Sequence, residues 1–226
     1  STMRNKKLIV FDVGNTLIET KRGIFISNQV LSDLNALREK GYILGLSTLR
    51  TEEMLAPILA QFQFDFLVLM NGGLVKIGDC VVFSQPLHPN IVADIKHQAK
   101  TCGVSVVDYS YDGTIYALEL PCAKERFVVN DAYQSYIWEQ SGNIDITPKN
   151  ITKPNGLGIV CRELGISTKN IIAFGDGYND IEMLKSADIS VAMGGAPKEV
   201  CSVATITTTT AGEDGISVAL RKLEIL

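Results

Sequence analysis

The residues best suited to chemistry lie where predicted strands end, and the first of them is Asp12. It follows the apolar run LIVF, which is typical of a buried strand. A carboxylate in this place could attack an electrophile or ligate a metal ion. Thr16, in the polar loop that follows, adds a hydroxyl group. Taken alone, Asp12 could equally be a loop or helix cap.

The most informative stretch is IIAFGDGYNDIEML, in which an apolar strand leads into an acidic loop with Asp176, Asn179 and Asp180. Two carboxylates four residues apart, in a loop containing glycines, offer the oxygen ligands that Mg²⁺ prefers. A solvated acidic loop is the alternative, and the apolar strand before it makes that alternative less favoured. The stretch therefore predicts a site for a hard cation.

Two further stretches offer groups that could bind phosphate. Ser47 and Thr48 follow the apolar run YILGL, and small hydroxyls at a helix N-terminus suit an anion because free N–H groups and the helix dipole lie there. Lys153, in ITKPNGL ahead of a predicted helix, could hold a phosphate or offset crowded carboxylates. Each stretch taken alone also fits an ordinary role, as an N-cap hydroxyl or a surface lysine.

The elements that must position these residues alternate between strand and helix at both ends of the chain. Strands are predicted at 7–11, 42–46, 66–70, 171–174, 189–192 and 204–208, and helices at 27–40, 51–61, 156–164, 180–185 and 215–223. This alternation predicts the α/β class, with a Rossmann-like, doubly wound parallel sheet. Ligands of such sheets gather at the carboxyl ends of the strands, which would bring the four stretches together.

The middle of the chain has a different pattern and predicts an inserted α+β domain. Strands are expected at 81–84, 104–109, 115–120 and 144–147, and helices at 89–100 and 123–139. Asp112-Gly113, between two of these strands, predicts a hairpin turn. The expected organisation is a core of residues 1–76 and 151–226 with an insertion of residues 77–150.

Composition and charge disfavour several classes of protein. The net charge is −4 and no long Lys/Arg run occurs, which disfavours a nucleic-acid partner. No apolar run approaches the roughly 18 residues of a membrane span. The five scattered cysteines are expected to be reduced, as in a cytoplasmic protein. GNTL and AMGGA lack the G-x-G-x-x-G order of a dinucleotide-binding loop. Nothing in the sequence indicates an oligomeric state.

Five motifs together carry a resemblance to a known family. FDVGNTL, STLR, TKPNGL, GDGYND and AMGGA resemble, in order and spacing, the motifs of the haloacid dehalogenase superfamily. The nearest likeness is to its Cof-type phosphatases, in which a cap is inserted after a segment similar to MNGGLV. GDGYNDIEML is the most specific part, whereas STLR departs from the family, which usually has Gly where Leu49 stands. The small, C2-type insertion resembles the caps of sugar-phosphate and phosphoglycolate phosphatases.

The resemblance implies a Mg²⁺-dependent phosphohydrolase that acts on a small phosphorylated metabolite. It implies that Asp12 attacks phosphorus and becomes an aspartyl phosphate, and that Lys153 neutralises Asp12 and the transferring group. The remaining roles it implies are those of metal ligands and of phosphate-binding hydroxyl and amide groups. The implied metal set is Asp12, the carbonyl of Gly14, Asp176 and Asp180, and the implied substrate-binding set is Thr48 and Asn179, with Ser47 and Thr16 as further candidates.

Gly14 departs from the pattern of these phosphatases, which usually carry Asp there. That Asp protonates the leaving oxygen and later activates water, and losing such a group typically costs about 10²–10⁴ in rate. Another group could replace it, the leaving group could need no proton, or the protein could bind phosphorylated ligands without turning them over. Relatives that act on carbon–halogen or carbon–phosphorus bonds also lack this Asp, so a changed reaction stays open. The metal pair Asp176 and Asp180 argues against dehalogenation.

The insertion is expected to close over the strand ends and to supply substrate contacts beyond the phosphate. Candidates for those contacts are Glu119, Lys124 and Arg126, with Tyr116 near them. Solvated surface residues are the alternative for each. A module that chiefly senses or binds a metabolite is the alternative for the whole chain, and tight binding with poor turnover would favour it.

Overall fold

The computed structural model describes residues 5–226 and contains twelve strands and seven helices in that range. The strands are Leu8–Phe11 (β1), Ile43–Ser47 (β2), Phe66–Leu69 (β3), Leu74–Ile77 (β4), Cys80–Ser84 (β5), Val107–Tyr111 (β6), Thr114–Leu120 (β7), Gln134–Ile137 (β8), Ile144–Thr147 (β9), Ile171–Gly175 (β10), Ile189–Ala192 (β11) and Ile206–Thr207 (β12). The helices are Asn28–Glu39 (α1), Ala56–Leu59 (α2), Pro89–Cys102 (α3), Lys153–Leu164 (α4), Ile181–Ser186 (α5), Lys198–Val203 (α6) and Gly215–Lys222 (α7).

The larger sheet has eight strands in the order β12-β11-β10-β1-β2-β3-β4-β5. The strands from β12 to β3 are parallel, and β4 and β5 add an antiparallel edge. Side chains alternate along β1, so that Ile9 and Phe11 share one apolar cluster with α1 and α7. Leu8 and Val10 share another with α4, α5 and α6. Helices therefore cover both faces, which confirms the predicted doubly wound α/β core.

The smaller sheet is antiparallel, with the order β6-β7-β9-β8. One of its faces packs on α3 through apolar side chains such as Leu118, Ile144 and Ile95. Asp112 and Gly113 join β6 to β7 with positive φ angles of 49° and 77°, which confirms the predicted two-residue hairpin turn. We call α3 and this sheet the cap.

Several sequence-based expectations about this region are wrong. Residues 123–139 do not form a helix: turns are followed by β8, which pairs with β9. Pairing with β9 outweighs helix propensity here, and the side chain of Asn130 accepts a hydrogen bond from the N–H of Ala132 in the turn before β8. Strand β5, expected in the insertion, pairs with β4 in the larger sheet. The predicted boundaries at 76/77 and 150/151 stay a prediction.

Smaller differences concern elements at the edges of the core. The helix expected at 51–61 is a 3-10 turn, Glu53–Leu55, followed by the short α2. Pro57 lies in the first turn of α2, where its missing N–H costs least. The sequence did not predict β4 or α6. Over residues 5–226, none of the helices has the length and apolar character needed to cross a membrane.

Candidate active site

Lys153 is the buried centre of the site. Lys153 is the first residue of α4 and is followed by Pro154. The hydroxyl of Thr152 caps this helix by accepting a hydrogen bond from the N–H of Asn155. Lys153 Nζ donates to Asp12 Oδ1 at 3.1 Å and to Asp180 Oδ1 at 2.7 Å. Burial lowers the pKa of this lysine, but the two carboxylates outweigh burial and raise it. Lys153 is therefore a fixed cation.

Asp12 lies directly beyond β1 at the middle of the larger sheet. Its N–H donates to the carbonyl of Phe174 at 3.0 Å, which continues the pairing of β1 with β10. Burial raises the pKa of Asp12 to about 6 against the opposing charge of Lys153, and nearby Asp176 also raises it. The structure thus gives the predicted nucleophile a defined position beside a cation.

The acidic loop after β10 is held in place by its own carboxylate. Asp180 is fully buried, and its Oδ2 accepts hydrogen bonds from the N–H groups of Asp176 at 3.0 Å and Gly177 at 3.1 Å. A Cβ atom on Gly175 would lie 2.7 Å from the Cβ of Asp180, so only glycine allows this approach. Burial, reinforced by Asp12, raises the pKa of Asp180 to about 6.

The carboxylates of Asp12, Asp176 and Asp180 fit a divalent cation. Each offers one oxygen atom, and these atoms all lie within 4.8 Å of one another. Lys153 is the cation that contacts two of them, and the pKa of all three carboxyls is raised, chiefly by burial. A set of hard oxygen donors with excess negative charge is suited to Mg²⁺.

Loop 12–18 has a backbone that does not require glycine at position 14. Asn15 has a φ of 57°, a conformation that Asn adopts more readily than most residues, whereas the φ of Gly14 is not positive. A Cβ atom on Gly14 would lie 3.4 Å from both Arg50 Nη2 and Thr20 Oγ1, which is ordinary contact. The missing side chain therefore leaves room that the guanidinium of Arg50 borders.

The predicted hydroxyl and amide groups lie at neighbouring strand ends. Thr16 Oγ1 donates to Asp176 Oδ1 at 3.2 Å and so joins two loops of the site. Thr48 is buried, and its Oγ1 accepts from the N–H of Arg50 at 3.1 Å. Ser47 Oγ is buried without a hydrogen-bond partner among the described residues. Asn179 lies in the half-buried turn between Asp176 and Asp180.

The structure separates the four cap candidates. Lys124 pairs with Glu139 at the cap surface, and Arg126 donates to the carbonyl of Gly103 at 2.8 Å. Tyr116 shares a 2.6 Å hydrogen bond with Ser84 Oγ, beside the larger sheet. Glu119 alone of the four accepts a hydrogen bond from a tyrosine, Tyr109, on the cap face opposite α3.

Sequence reasoning did not single out three residues that lie near this site. Arg50 was part of the STLR motif without a role, and Trp138 fell in the wrongly predicted helix. Asp145 lies in the apolar strand β9 and is almost fully buried. A carboxylate inside the run IDIT was a signal that could have drawn attention to Asp145.

Comparison with known proteins assigns the chain to a family. The family model described as haloacid dehalogenase-like hydrolase matches residues 9–132 and 123–220. The matched segments cover most of the chain, including the cap and the parts of the core on both sides of it. The resemblance that the motifs predict is thereby confirmed.

Similar proteins of comparable length are phosphatases by name. A Bacillus subtilis protein, YkrA, provisionally named a phosphatase, is 26% identical over 98% of this chain and 99% of its own length. A phosphoglycolate phosphatase of Methanopyrus kandleri is 25% identical over 96% of each chain. A solved structure of a subclass IIB sugar phosphatase superposes with a TM-score of 0.85 at 24% identity, covering 98% of this chain and 100% of the other, and shows the shared fold. These relatives confirm the expected kind of enzyme, a phosphatase.

Proposed function

Because this chain belongs to the haloacid dehalogenase-like hydrolase family, we propose that it is a Mg²⁺-dependent phosphatase that uses Asp12 as its nucleophile. The substrate class we propose is a small phosphorylated metabolite such as a sugar phosphate. The names of the relatives, a phosphoglycolate phosphatase and a sugar phosphatase, support this class. The five free cysteines support a cytoplasmic location.

One observation carries the proposal: buried Lys153 contacts both Asp12 and Asp180 beside the third carboxylate, Asp176. A lysine between two buried carboxylates stabilises the ionised form of Asp12, which is the form that attacks. The same ammonium group can offset the negative charge of a phosphoryl group next to Asp12. Phosphoryl transfer depends mainly on such positioning and charge stabilisation.

The reaction has two steps. A carboxylate oxygen of Asp12 forms a bond to phosphorus while the bond from phosphorus to the leaving oxygen breaks. Water then attacks the phosphorus of the aspartyl phosphate, which releases inorganic phosphate and restores Asp12. Thr48 and Asn179 are proposed to bind phosphate oxygens, with Ser47 and Thr16 as nearby hydroxyls. Because glycine at position 14 has no side chain to move a proton, the leaving oxygen takes its proton from solvent in the first step, and the attacking water gives its proton to solvent in the second.

The metal ligands proposed are Asp12, Asp176, Asp180 and the carbonyl of Gly14. When bound, Mg²⁺ supplies positive charge that stabilises the phosphate oxygens. Hydrogen bonds from the N–H groups of Asp176 and Gly177 fix the orientation of one of these ligands, the carboxylate of Asp180. Thr16, by donating to Asp176, fixes the orientation of a second ligand.

Rapid-mix hydrolysis of p-nitrophenyl phosphate tests the proposal. Steady Mg²⁺-dependent release of nitrophenol by the wild type, abolished in Asp12→Asn, is the expected result. Asp108→Asn is the matched control, because Asp108 is an exposed cap carboxylate that pairs with Lys96. Equal release by wild type and Asp12→Asn would contradict the role of Asp12.

A second candidate function follows from Gly14, namely a phosphate-binding protein with slow turnover. Without an acid–base group, the aspartyl phosphate would break down slowly. The same experiment separates the two functions. One nitrophenol per enzyme, released in a burst and followed by a slow phase, would favour the binding protein.

A further inference from the structure

Two acidic residues on neighbouring strands lie side by side on the face of the cap sheet opposite α3. Glu119 on β7 and Asp145 on β9 are register partners, so their side chains project from the same face. Leu118 and Ile144, which alternate with them, pack on α3 instead. The acidic pair therefore lies on the side of the cap that faces away from its own apolar core.

Aromatic residues hold both carboxylates in place. Trp138 Nε1 donates to Asp145 Oδ2 at 2.7 Å, and the hydroxyl of Tyr109 donates to Glu119 Oε2 at 3.3 Å. We call Tyr109, Glu119, Trp138 and Asp145 the acidic recess. The side chains of the recess are thus fixed before any ligand arrives.

One oxygen atom of the recess has no partner. Asp145 is only 7% exposed, and its Oδ1 is buried without a hydrogen bond from any described residue. An unpaired buried carboxylate oxygen is costly, and it is most often explained by a missing hydrogen-bond donor. A donor supplied by a ligand would satisfy it.

The recess borders the candidate active site. The Cη2 atom of Trp138 lies 3.9 Å from the position of a Cβ on Gly177, the neighbour of Asp176. A cleft of about 610 Å³ is lined by Trp138 and Tyr136 from the cap and by Asp176 and Gly177 from the core. On the other side, the guanidinium of Arg50 borders Gly14, and its positive charge opposes the rise that burial causes in the pKa of Tyr109.

The charge balance of the recess calls for a cation. The two nearby cap cations are engaged elsewhere, Lys124 with Glu139 and Arg126 with a backbone carbonyl. In the described part of the chain no lysine or arginine pairs with Asp145, so a neutral hydroxyl at Oδ1 would leave its negative charge without compensation. An ammonium group would donate to Asp145 Oδ1 and could also contact the face of an aromatic ring.

We propose that the acidic recess binds an ammonium group on the leaving group, so that the substrates are phosphate monoesters of amino sugars or amino alcohols. This inference rests on the proposed function, because the phosphate of the same molecule would lie at Asp12. The substrate would then be held at both ends, by Lys153 at the phosphate and by Asp145 at the amine.

Two matched pairs of phosphates test the recess with Mg²⁺ present. Glucosamine 6-phosphate is compared with glucose 6-phosphate, and phosphoethanolamine with 2-hydroxyethyl phosphate. In at least one pair we expect the amine to be preferred by roughly 10- to 100-fold, the usual value of a hydrogen bond to a charged group. The preference is measured as the ratio of kcat/KM, or as the ratio of Kd by calorimetry for compounds that are not turned over.

Variants of the recess decide whether it is the source of the preference. Asp145→Asn keeps an acceptor for Trp138 and should remove most of the preference for the amine. Glu119→Gln should weaken the preference, and it provides the test if Asp145→Asn does not fold. Asp108→Asn, on the exposed side of the cap, should leave it unchanged. Equal binding of amine and hydroxyl compounds in both pairs, or a preference that survives both recess variants, would overturn the proposal.

The experiments distinguish a failure of the proposed function from a failure of this inference. p-Nitrophenyl phosphate has no amine, so its hydrolysis reports on Asp12 without the recess. Hydrolysis of that ester without an amine preference would overturn the recess alone. An amine preference in Kd without any hydrolysis would support the recess and contradict the phosphatase.

Discussion

At the scale of single residues, Gly14 and Lys153 differ in how strongly the surrounding structure constrains them. Gly14 is not imposed by the backbone, since its φ is not positive and a Cβ would make only ordinary contacts. Lys153 is imposed by its surroundings, since it lies between Asp12 and Asp180 and is almost fully buried. The first is therefore open to substitution, and the second is not.

Replacing Gly14 with Asp should speed turnover. The new carboxylate would lie near Arg50 and Thr20, at the position where the family resemblance implies an acid–base group. We expect steady-state hydrolysis of p-nitrophenyl phosphate to rise by roughly 10²-fold. Gly14→Ala is the control, because it adds the same Cβ atom without a carboxylate. Equal rates for the two variants would mean that position 14 is not the limiting defect.

Replacing Lys153 with Met should destabilise the protein more in EDTA than in Mg²⁺. The variant leaves buried carboxylates without their cation, which typically costs about 3–5 kcal/mol in the free energy of unfolding. A bound divalent ion would restore part of the lost positive charge. Thermal unfolding of wild type and variant, with and without Mg²⁺, measures the difference. The same loss under both conditions would contradict a metal site at these carboxylates.

At the scale of elements, the sequence predicted the core well and the cap less well. Core strands such as β1 and β10 are apolar on both faces and end in polar loops, so they are visible in the sequence. Strand β8 is not, because QSYI has one face on the cap core and one toward the cleft, and its pairing with β9 comes only from the tertiary fold. Because β8 was not predicted, Trp138, which follows it, and the hydrogen bond from Trp138 to Asp145 were not predicted either.

The cap sheet should become less stable as the pH rises, because of Asp145. Burial first, and the charge of Glu119 second, raise the pKa of Asp145 from 3.8 to about 6, although Trp138 opposes them. The folded state therefore favours the protonated form, and stability is lost between about pH 4 and pH 6. Asp145→Asn removes this loss, so we expect it to be more stable than wild type at pH 7, by at most about 3 kcal/mol.

Thermal unfolding across that pH range measures the effect. The advantage of Asp145→Asn should be small at pH 4 and should grow up to about pH 6. Asp108→Asn serves as control, since Asp108 is exposed and pairs with Lys96. An advantage that does not change with pH would mean that Asp145 is not the titrating group.

At the scale of the whole molecule, the turn after β3 and the start of α4 pack against each other. Met70, Asn71 and Gly72 all have positive φ, and Asn71 N–H donates to the carbonyl of Thr48 at 2.9 Å. A Cβ on Gly72 would lie 2.6 Å from the carbonyl oxygen of Thr152. This contact therefore links the chain before the cap with the chain that returns from it to Lys153.

Gly72→Ala should destabilise the whole molecule. Its φ of 115° and its contact with Thr152 both disfavour a side chain, so we expect a loss of about 2 kcal/mol or more. Gly78→Ala is the matched control, since Gly78 has a φ of 56° with nothing within 4 Å, and should cost only about 1 kcal/mol. Denaturant unfolding compares the two. An equal loss for both would show that the Thr152 contact is unimportant.

The pairing of β1 with β10 also has a consequence for the order in which the chain folds. Lys153 and Asp12, which meet in the site, are 141 residues apart in the sequence. Closing such a long loop costs chain entropy before any contact is gained, whereas the cap strands join neighbours within 107–147. During synthesis, the cap can therefore acquire its structure before β10 has been made and can pair with β1. A nascent chain gains its three clustered carboxylates only when β10 and the loop after it have been made.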